Sequence, residues 1–359
     1  ATTEIYTLSL HDALPIYWLN GKIIMLEPRR LAARSVAHRL AQQLGETVGQ
    51  TVGYRMRAET KVSAQTRLEV VTEGILTRML QQDPELSGVS LVILDEFHER
   101  SLQADLALAL LLDVQEGLRD DLRLLIMSAT LDDARLTHLL PDAPVIRSEG
   151  RSFPVVRSYM PVSAHERLDH SASHAALNLL RQESGSLLLF LPGVGEIKRT
   201  AELLEQRVDA NTDICPLYGA LPLAEQQKAI DPSPSGRRKV VLATNIAETS
   251  LTIDGIRLVI DSTLERVSQF DVRSGLTKLV TQRASQASMT QRAGRAGRLE
   301  PGICWHLMAA EQAERTAEYS EAEILHSDLS SLWLNLLQWG CHDVSQLKWL
   351  DTPPTAAIS

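Results

Sequence analysis

Two acids stand side by side at the end of an apolar run in LVILDEFHERS (91–101), where Leu91 to Leu94 lead without a turn residue into Asp95 and Glu96. Adjacent carboxylates at such a point suit hydrolysis of a magnesium-bound nucleotide. One acid holds the cation, mostly through water, and the other orients and deprotonates the attacking water. A helix N-cap is the plainer account of Asp95. Zinc-protease chemistry at His98-Glu99 is excluded, because no second His follows four residues after His98. Near the other end, QRAGRAGR (291–298) spaces Arg292, Arg295 and Arg298 three apart with only Ala and Gly between. On a helix that spacing lays the guanidinium groups along one face. Arginines presented to a γ-phosphate raise transfer rates by about 10³–10⁵. A solvated arginine face is the alternative, and it leaves the glycines and Gln291 unexplained.

The elements that must carry these residues are legible as short apolar runs: KIIML (22–26), LVIL (91–94), LRLLIM (122–127), SLLLFL (186–191), KVVLA (239–243) and IRLVI (256–260). Continuous rather than alternating hydrophobicity predicts strands buried on both faces of a parallel sheet. Helix-like segments lie between them. In RRLAARSVAHRLAQQLG, Leu31, Val36, Leu40 and Leu44 recur at helical spacing and Gly45 can end the helix. The result is an α/β pattern that occurs twice. The runs end in Glu27-Pro28-Arg29-Arg30, Asp95-Glu96-Phe97-His98, Ser128-Ala129-Thr130, Pro192-Gly193 and Thr244-Asn245. Open α/β sheets bind ligands at the carboxyl ends of their strands, so these polar groups gather at one edge of each sheet.

The chain has 359 residues, 44% hydrophobic and 23% charged, enough for two domains and a remainder. No apolar run approaches the length of about 18 residues that a membrane span needs. Cys215, Cys304 and Cys341 lie far apart without a CxxC, which argues against a disulfide framework or a zinc site and for a reducing, cytoplasmic compartment. The net charge of −9 hides two basic bands. Glu27 to Arg67 carries eight Arg/Lys against three acids, and Glu265 to Arg298 seven against two. Such bands on an acidic body suit a protein that grips a phosphate backbone locally, and solvated helix faces would serve the charges equally well.

Taken in order, EPRR (27–30), TEG (72–74), DEFH (95–98), SAT (128–130), FLPG (190–193), TNIAETSLTIDG (244–255) and QRAGRAGR (291–298) resemble the motifs of superfamily 2 DEAH-type ATP-dependent RNA helicases. The resemblance runs from about Trp18 to the end, and LEPRRLAARSVAHRLA, GYRMR and VVTEGILTRML are similar to its bacterial HrpB-type branch. It implies two RecA-like domains, residues 17–150 and 151–312, with mostly parallel sheets, followed by the start of a winged-helix region, 313–359. It implies ATP and Mg²⁺ as cofactors, with Asp95 holding the hydrated magnesium and Glu96 as general base. Ser128 and Thr130 would link nucleotide state to domain position, with His98 as relay. Gln291, Arg295 and Arg298 would reach the phosphates, and Thr249 and Asp254 would serve both sites. Arg29, Thr72 and Thr244 match contacts to the backbone of single-stranded RNA, or of DNA in a related translocase. Arg39 and Ile230 match the positions that clamp the base, and an aliphatic there implies relaxed nucleotide preference. RVSQFDVRSGLTKLVTQ (266–282) reads as a hairpin turning at Gly275, and family members project a hairpin toward the duplex.

Two departures qualify the resemblance. No GxxxxGK[ST] phosphate loop is present, and Gly21-Lys22 is followed by Ile23 at the start of a strand. The chain by itself is therefore expected to lack turnover, which leaves a nucleic-acid-binding module without catalysis, or a DNA- or ribonucleoprotein-remodelling translocase, as alternatives. The first sixteen residues, ATTEIYTLSLHDALPI, do not resemble the family and are read as non-native. Toward the other end, Leu325, Leu329, Leu332 and Leu336 recur at helical spacing near Trp333, Trp339 and Trp349. An apolar face there without most of its partner is expected, and with it poor solubility.

Overall fold

A computed structural model describes residues 19–129, 134–146, 152–249 and 251–355. Thr130 and the sixteen residues read as non-native lie outside them. The chain divides into two compact units: the first holds the residues up to 150 together with 269–278 and the segment from 321 onward, and the second holds 151–268 and 279–320.

Among the described residues, six strands build the sheet of the first unit: β1 (Lys22–Leu26), β2 (Val52–Met56), β3 (Glu59–Lys61), β4 (Leu68–Val71), β5 (Val89–Leu94) and β6 (Arg123–Ile126). Their order is β3-β2-β4-β1-β5-β6. Only the β2–β3 pairing is antiparallel; the others are parallel. The continuous apolar runs have a simple cause, since alternate side chains enter different cores. Ile23, Met25, Leu91 and Ile93 pack with α1 (Arg30–Gln43) on one face, while Ile24, Leu26, Val92 and Leu94 pack with α2 (Ile75–Gln82) and α3 (Leu102–Gly117) on the other. Each such burial contributes roughly 1.5–3 kcal/mol. β6 departs from the expectation: Leu125 is 39% exposed, because β6 is the last strand of the sheet among the described residues. The short helix α4 (Ala134–Leu139) follows.

The second unit repeats the plan with β7 (Val155–Tyr159), α5 (Leu168–Gln182), β8 (Ser186–Phe190), α6 (Val194–Glu205), β9 (Thr212–Leu217), α7 (Leu223–Ile230), β10 (Arg238–Ala243) and β11 (Ile256–Asp261). The chain continues through strands β12 (Leu264–Asp271) and β13 (Leu276–Arg283), of which residues 269–278 fall in the first unit, then α8 (Gln286–Gly294), β14 (Gly302–His306) and α9 (Ala310–Arg315). Its main sheet is all parallel, in the order β7-β14-β11-β8-β10-β9. The hairpin read at 266–282 is present: β12 and β13 form a sheet of their own, and Gly275 takes the positive φ of +66° that the turn needs. Its apolar residues Val272, Leu276 and Leu279 are exposed.

The last described segment corrects one expectation. Leu329, Leu332 and Leu336, on and before α10 (Ser330–Trp339), are buried in the core of the first unit, and Trp333, Trp339 and Trp349 pack against the same core. The partner is α3, apolar nearly all round because one side meets the sheet and the other meets this segment. Polar contacts fix the docking. Trp339 Nε1 donates to Asp113 (2.8 Å), Gln81 Nε2 to the Asn335 carbonyl (2.8 Å), and the Leu102 amide to Glu323 (2.9 Å). Three of the four leucines thus have their partner within the first unit, while Leu325 is exposed.

Candidate active site

The carboxyl ends of β1, β5 and β6 gather the buried acids and His98 of the first unit. Parallel register sets Leu26 beside Leu94, so the next residues, Glu27 and Asp95, leave adjacent strands together. The Asp95 amide donates to the Leu26 carbonyl at 3.1 Å, and the Phe97 amide to the Met127 carbonyl at 3.0 Å. Glu96 then turns the chain with a left-handed φ of +53°, a conformation that costs energy for a residue with a Cβ and persists where surrounding structure enforces it. Its amide donates to Asp95 Oδ1 at 2.8 Å.

Glu27, Asp95 and Glu96 are all buried, and oxygens from the three lie within 4.8 Å of one another. Burial, then the neighbouring Glu96, pushes Asp95 well above the usual carboxylate range. Burial, Glu96 and Glu99 do the same to Glu27, with Arg39 and Arg29 pulling the other way. Three buried acids offering hard oxygen donors fit a divalent cation such as magnesium. His98 connects this cluster to the end of β6. Its Nδ1 accepts the Ala129 amide at 3.1 Å, which leaves the proton on Nε2, 3.3 Å from Glu96 Oε2. Glu96, His98 and the 128–129 segment therefore form one connected array, with Ser128 half-buried beside it.

The other sequence-predicted residues of this unit lie around it. Arg29 is the N-cap residue of α1 and reaches Glu99 at 3.5 Å. Thr72 is buried after β4, its amide donating to the Arg55 carbonyl. Arg39 sits on α1, where burial lowers its guanidinium and Glu27 opposes that. Not all of the first basic band is available to a phosphate backbone: Glu59 pairs with Arg30 and Arg34, and Glu69 with Arg55.

In the second unit, the expectation of three arginines along one helix face is corrected. Helix α8 ends at Gly294, and a 3₁₀ turn follows over 295–297. Arg292 points inward and is fully buried: Nε donates to Glu248 at 2.9 Å, one Nη to Asp261 at 2.8 Å, and the guanidinium lies over the Phe190 ring at 5.2 Å. Although burial works against its charge, Asp261 and Glu248 hold it charged. Arg295 is also buried, its Nε donating to the Glu248 carbonyl. Gln291 and Arg298 are half-buried. One reason for the glycines is now visible: a Cβ on Gly297 would lie 2.4 Å from the Phe153 carbonyl oxygen. Thr244 follows β10 half-buried, and Thr249 is buried. Asp254 is exposed, and its amide donates to the Ile230 carbonyl at 3.2 Å, so these two predicted positions adjoin.

The DEAD/DEAH box helicase family matches residues 3–138, and the helicase conserved C-terminal domain family matches 171–300. The ATP-dependent RNA helicase HrpB of Escherichia coli K12 is 71% identical over 340 residues, covering 95% of this chain and 42% of that protein. The chain belongs to the DEAD/DEAH box helicases. The probable ATP-dependent RNA helicase DHR2 of Saccharomyces cerevisiae is 36% identical over 347 residues, covering 94% of the chain and 47% of its own length. The crystal structure of the Escherichia coli DEAH/RHA helicase HrpB superposes with a TM-score of 0.92 at 69% identity, covering 96% of this chain and 44% of that one. The two α/β units are thus RecA-like domains with mostly parallel sheets. The chain spans less than half the length of these relatives.

Sequence reasoning gives no role to Glu27, Glu248 or Asp261. Glu27 and Asp261 are legible there only as residues closing apolar runs, and Glu248 only as part of TNIAETS.

Proposed function

We propose that the chain is part of the motor core of an ATP-dependent RNA helicase, a protein that hydrolyses Mg-ATP and uses the cycle to move along single-stranded RNA or unwind it, and that the chain alone, which carries no GxxxxGK[ST] loop, lacks turnover. The observation that carries this reading is the connected array of Asp95, Glu96, His98 and the Ala129 amide at the strand ends of the first domain. Magnesium, when bound, neutralises phosphate charge. Asp95 would hold the hydrated cation. Glu96 would orient the attacking water and take its proton, and Nε2 of His98 keeps that carboxylate in place. Because His98 is itself held by the Ala129 amide, a shift of the 128–129 segment reaches the base through that hydrogen bond and the 3.3 Å contact of His98 Nε2 with Glu96.

Gln291, Arg295 and Arg298 would meet the phosphates, and the bond from Arg295 to the Glu248 carbonyl supports a fixed direction for its guanidinium. Arg29, Thr72 and Thr244 would hold RNA by phosphate and sugar, which gives weak sequence preference. The 3.5 Å approach of Arg29 to Glu99 supports a link from RNA to the residue that directly follows the DEFH motif, since a phosphate would compete with Glu99 for that guanidinium. An aliphatic Ile230 at the base-clamp position supports relaxed nucleotide choice. Residues 313–359 would begin a winged-helix region, and the protein would work in the cytoplasm. No helix among the described residues is long and apolar enough to cross a membrane.

The test is ATP turnover with and without single-stranded RNA, for the chain and for a version joined to a strand and GxxxxGK[ST] loop, each with and without Glu96→Gln. RNA-stimulated turnover that falls by about a hundredfold or more in Glu96→Gln, as loss of a general base entails, supports the reading. RNA binding without turnover in either folded version would leave a binding module instead. Stimulation by DNA but not RNA would leave a DNA translocase.

A further inference from the structure

Glu27 is wholly buried, and neither of its carboxylate oxygens has a hydrogen-bond partner. Oδ2 of Asp95 is in the same condition. A buried carboxylate without donors is costly, and one kept beside two other acids calls for a compensating ligand. The backbone leaves little freedom in the matter. The Glu27 amide donates to the Val71 carbonyl at 2.9 Å, and the adjacent strand delivers Asp95 alongside through its own bond to Leu26. Oxygens of Glu27, Asp95 and Glu96 therefore converge to within 4.8 Å, a spacing that one small cation can bridge directly or through its waters. Arg39 and Arg29 also act on Glu27, but burial and the acids Glu96 and Glu99 outweigh them.

We propose that Glu27 is a third oxygen donor of the divalent-cation site, completing from β1 the pair that β5 supplies. This rests on the reading of Asp95 as the cation holder and extends it. Three acids rather than one make a site that takes a divalent cation before any nucleotide arrives. Glu27 also begins the EPRR turn, so the cation site and the proposed RNA contact at Arg29 lie on one short segment of chain.

The experiment is a manganese chloride titration of the chain without nucleotide, with free Mn²⁺ read by electron paramagnetic resonance. The unmodified protein is compared with Glu27→Gln, Glu27→Asp and Asp95→Asn, and far-UV circular dichroism checks folding. Glu27→Gln weakens Mn²⁺ binding by about tenfold or more, in the range that loss of a supporting ligand produces. Asp95→Asn weakens it at least as much, and Glu27→Asp recovers part of the loss. Unchanged Mn²⁺ affinity in Glu27→Gln beside a loss in Asp95→Asn overturns the role of Glu27 and leaves the Asp95 reading standing. Absence of any saturable Mn²⁺ site in the unmodified chain overturns the three-acid site, and the RNA-stimulated turnover assay then decides the wider reading separately.

Discussion

The two sheets each end in a buried charged cluster, and the clusters are built on opposite terms. In the first domain Glu27, Asp95 and Glu96 crowd together, and both oxygens of Glu27 and Oδ2 of Asp95 meet no donor. In the second, the charge of Arg292 is met by Glu248 and Asp261 through Nε and one Nη, although its other Nη has no hydrogen-bond partner among the described residues, and His306 Nδ1 meets the other Asp261 oxygen at 2.7 Å. His306 Nε2 in turn accepts from Arg157 at 2.9 Å. Both clusters follow strand ends of similar sheets, so topology does not distinguish them. Compensation does: charge left uncompensated marks a place for a ligand, and charge balanced by neighbours marks a device that positions chain. Arg292 ties α8 to β11 and to Glu248, and the Glu248 carbonyl also receives Arg295, so the second cluster fixes the arginine motif.

The largest test of this contrast is Arg292→Met. It leaves Asp261 and Glu248 without that cation and should destabilise the second domain by about 3–5 kcal/mol, read by urea unfolding with hydrogen exchange on peptides spanning 286–306. A loss under about 1 kcal/mol would break the contrast. Asp95→Asn should act with the opposite sign. In metal-free buffer it relieves like charges while keeping the Oδ1 acceptor for the Glu96 amide, so the first domain should gain on the order of 1 kcal/mol. Hydrogen exchange on peptides spanning 89–99 checks it, and a loss would show the acids to be compensated.

Acidity separates the domains in the same way. Burial raises Glu73 to about 7 and Asp105 to about 6 in the first domain. Folded values above the unfolded ones mean that the folded state binds extra protons. The stability these two groups contribute is therefore full below about pH 4 and is lost as pH rises through about 6 and 7. Burial would raise Asp261 as well, but Arg292 and then His306 shift it down. Its contribution is present at neutral pH and is lost only as pH falls below the ordinary Asp value of 3.8. Urea midpoints measured from about pH 4 to about pH 8 should fall for the first domain, and Glu73→Gln should flatten the upper part of that slope. The smallest effect is Ser288→Ala, which removes one of the donors to Glu248. A cost of about 0.5–1.5 kcal/mol is expected in urea unfolding, since Arg292 still holds that carboxylate.

Much of the fold was legible because a strand buried on both faces needs an unbroken apolar run. All six runs became strands, β1 over the residues read and the others shifted only at their ends. The strands missed, such as β2 with VGYRM and β9 with TDICPL, mix polar or special residues into their runs and give a weaker signal. The acid pair was equally legible, since Asp95 and Glu96 are neighbours in sequence and need no fold to meet. The arginine motif was legible as composition but not as geometry. Its spacing fits one helix face, and only the end of α8 at Gly294 and the acids at 248 and 261 turn Arg292 inward.

The sequence by itself determined the two α/β units, the strand-end position of the acids and the family, because each depends on local pattern and on order along the chain. The tertiary structure alone decided which charges are compensated. Glu27 meets the distant Asp95 only because β1 and β5 pair in register, and Arg292 meets Asp261 through the packing of α8 on β11. It also decided where the last segment goes: Leu329, Leu332 and Leu336 find their partner in α3, far earlier in the chain. Burial and pairing are properties of neighbours in space, and no spacing along the chain specifies them.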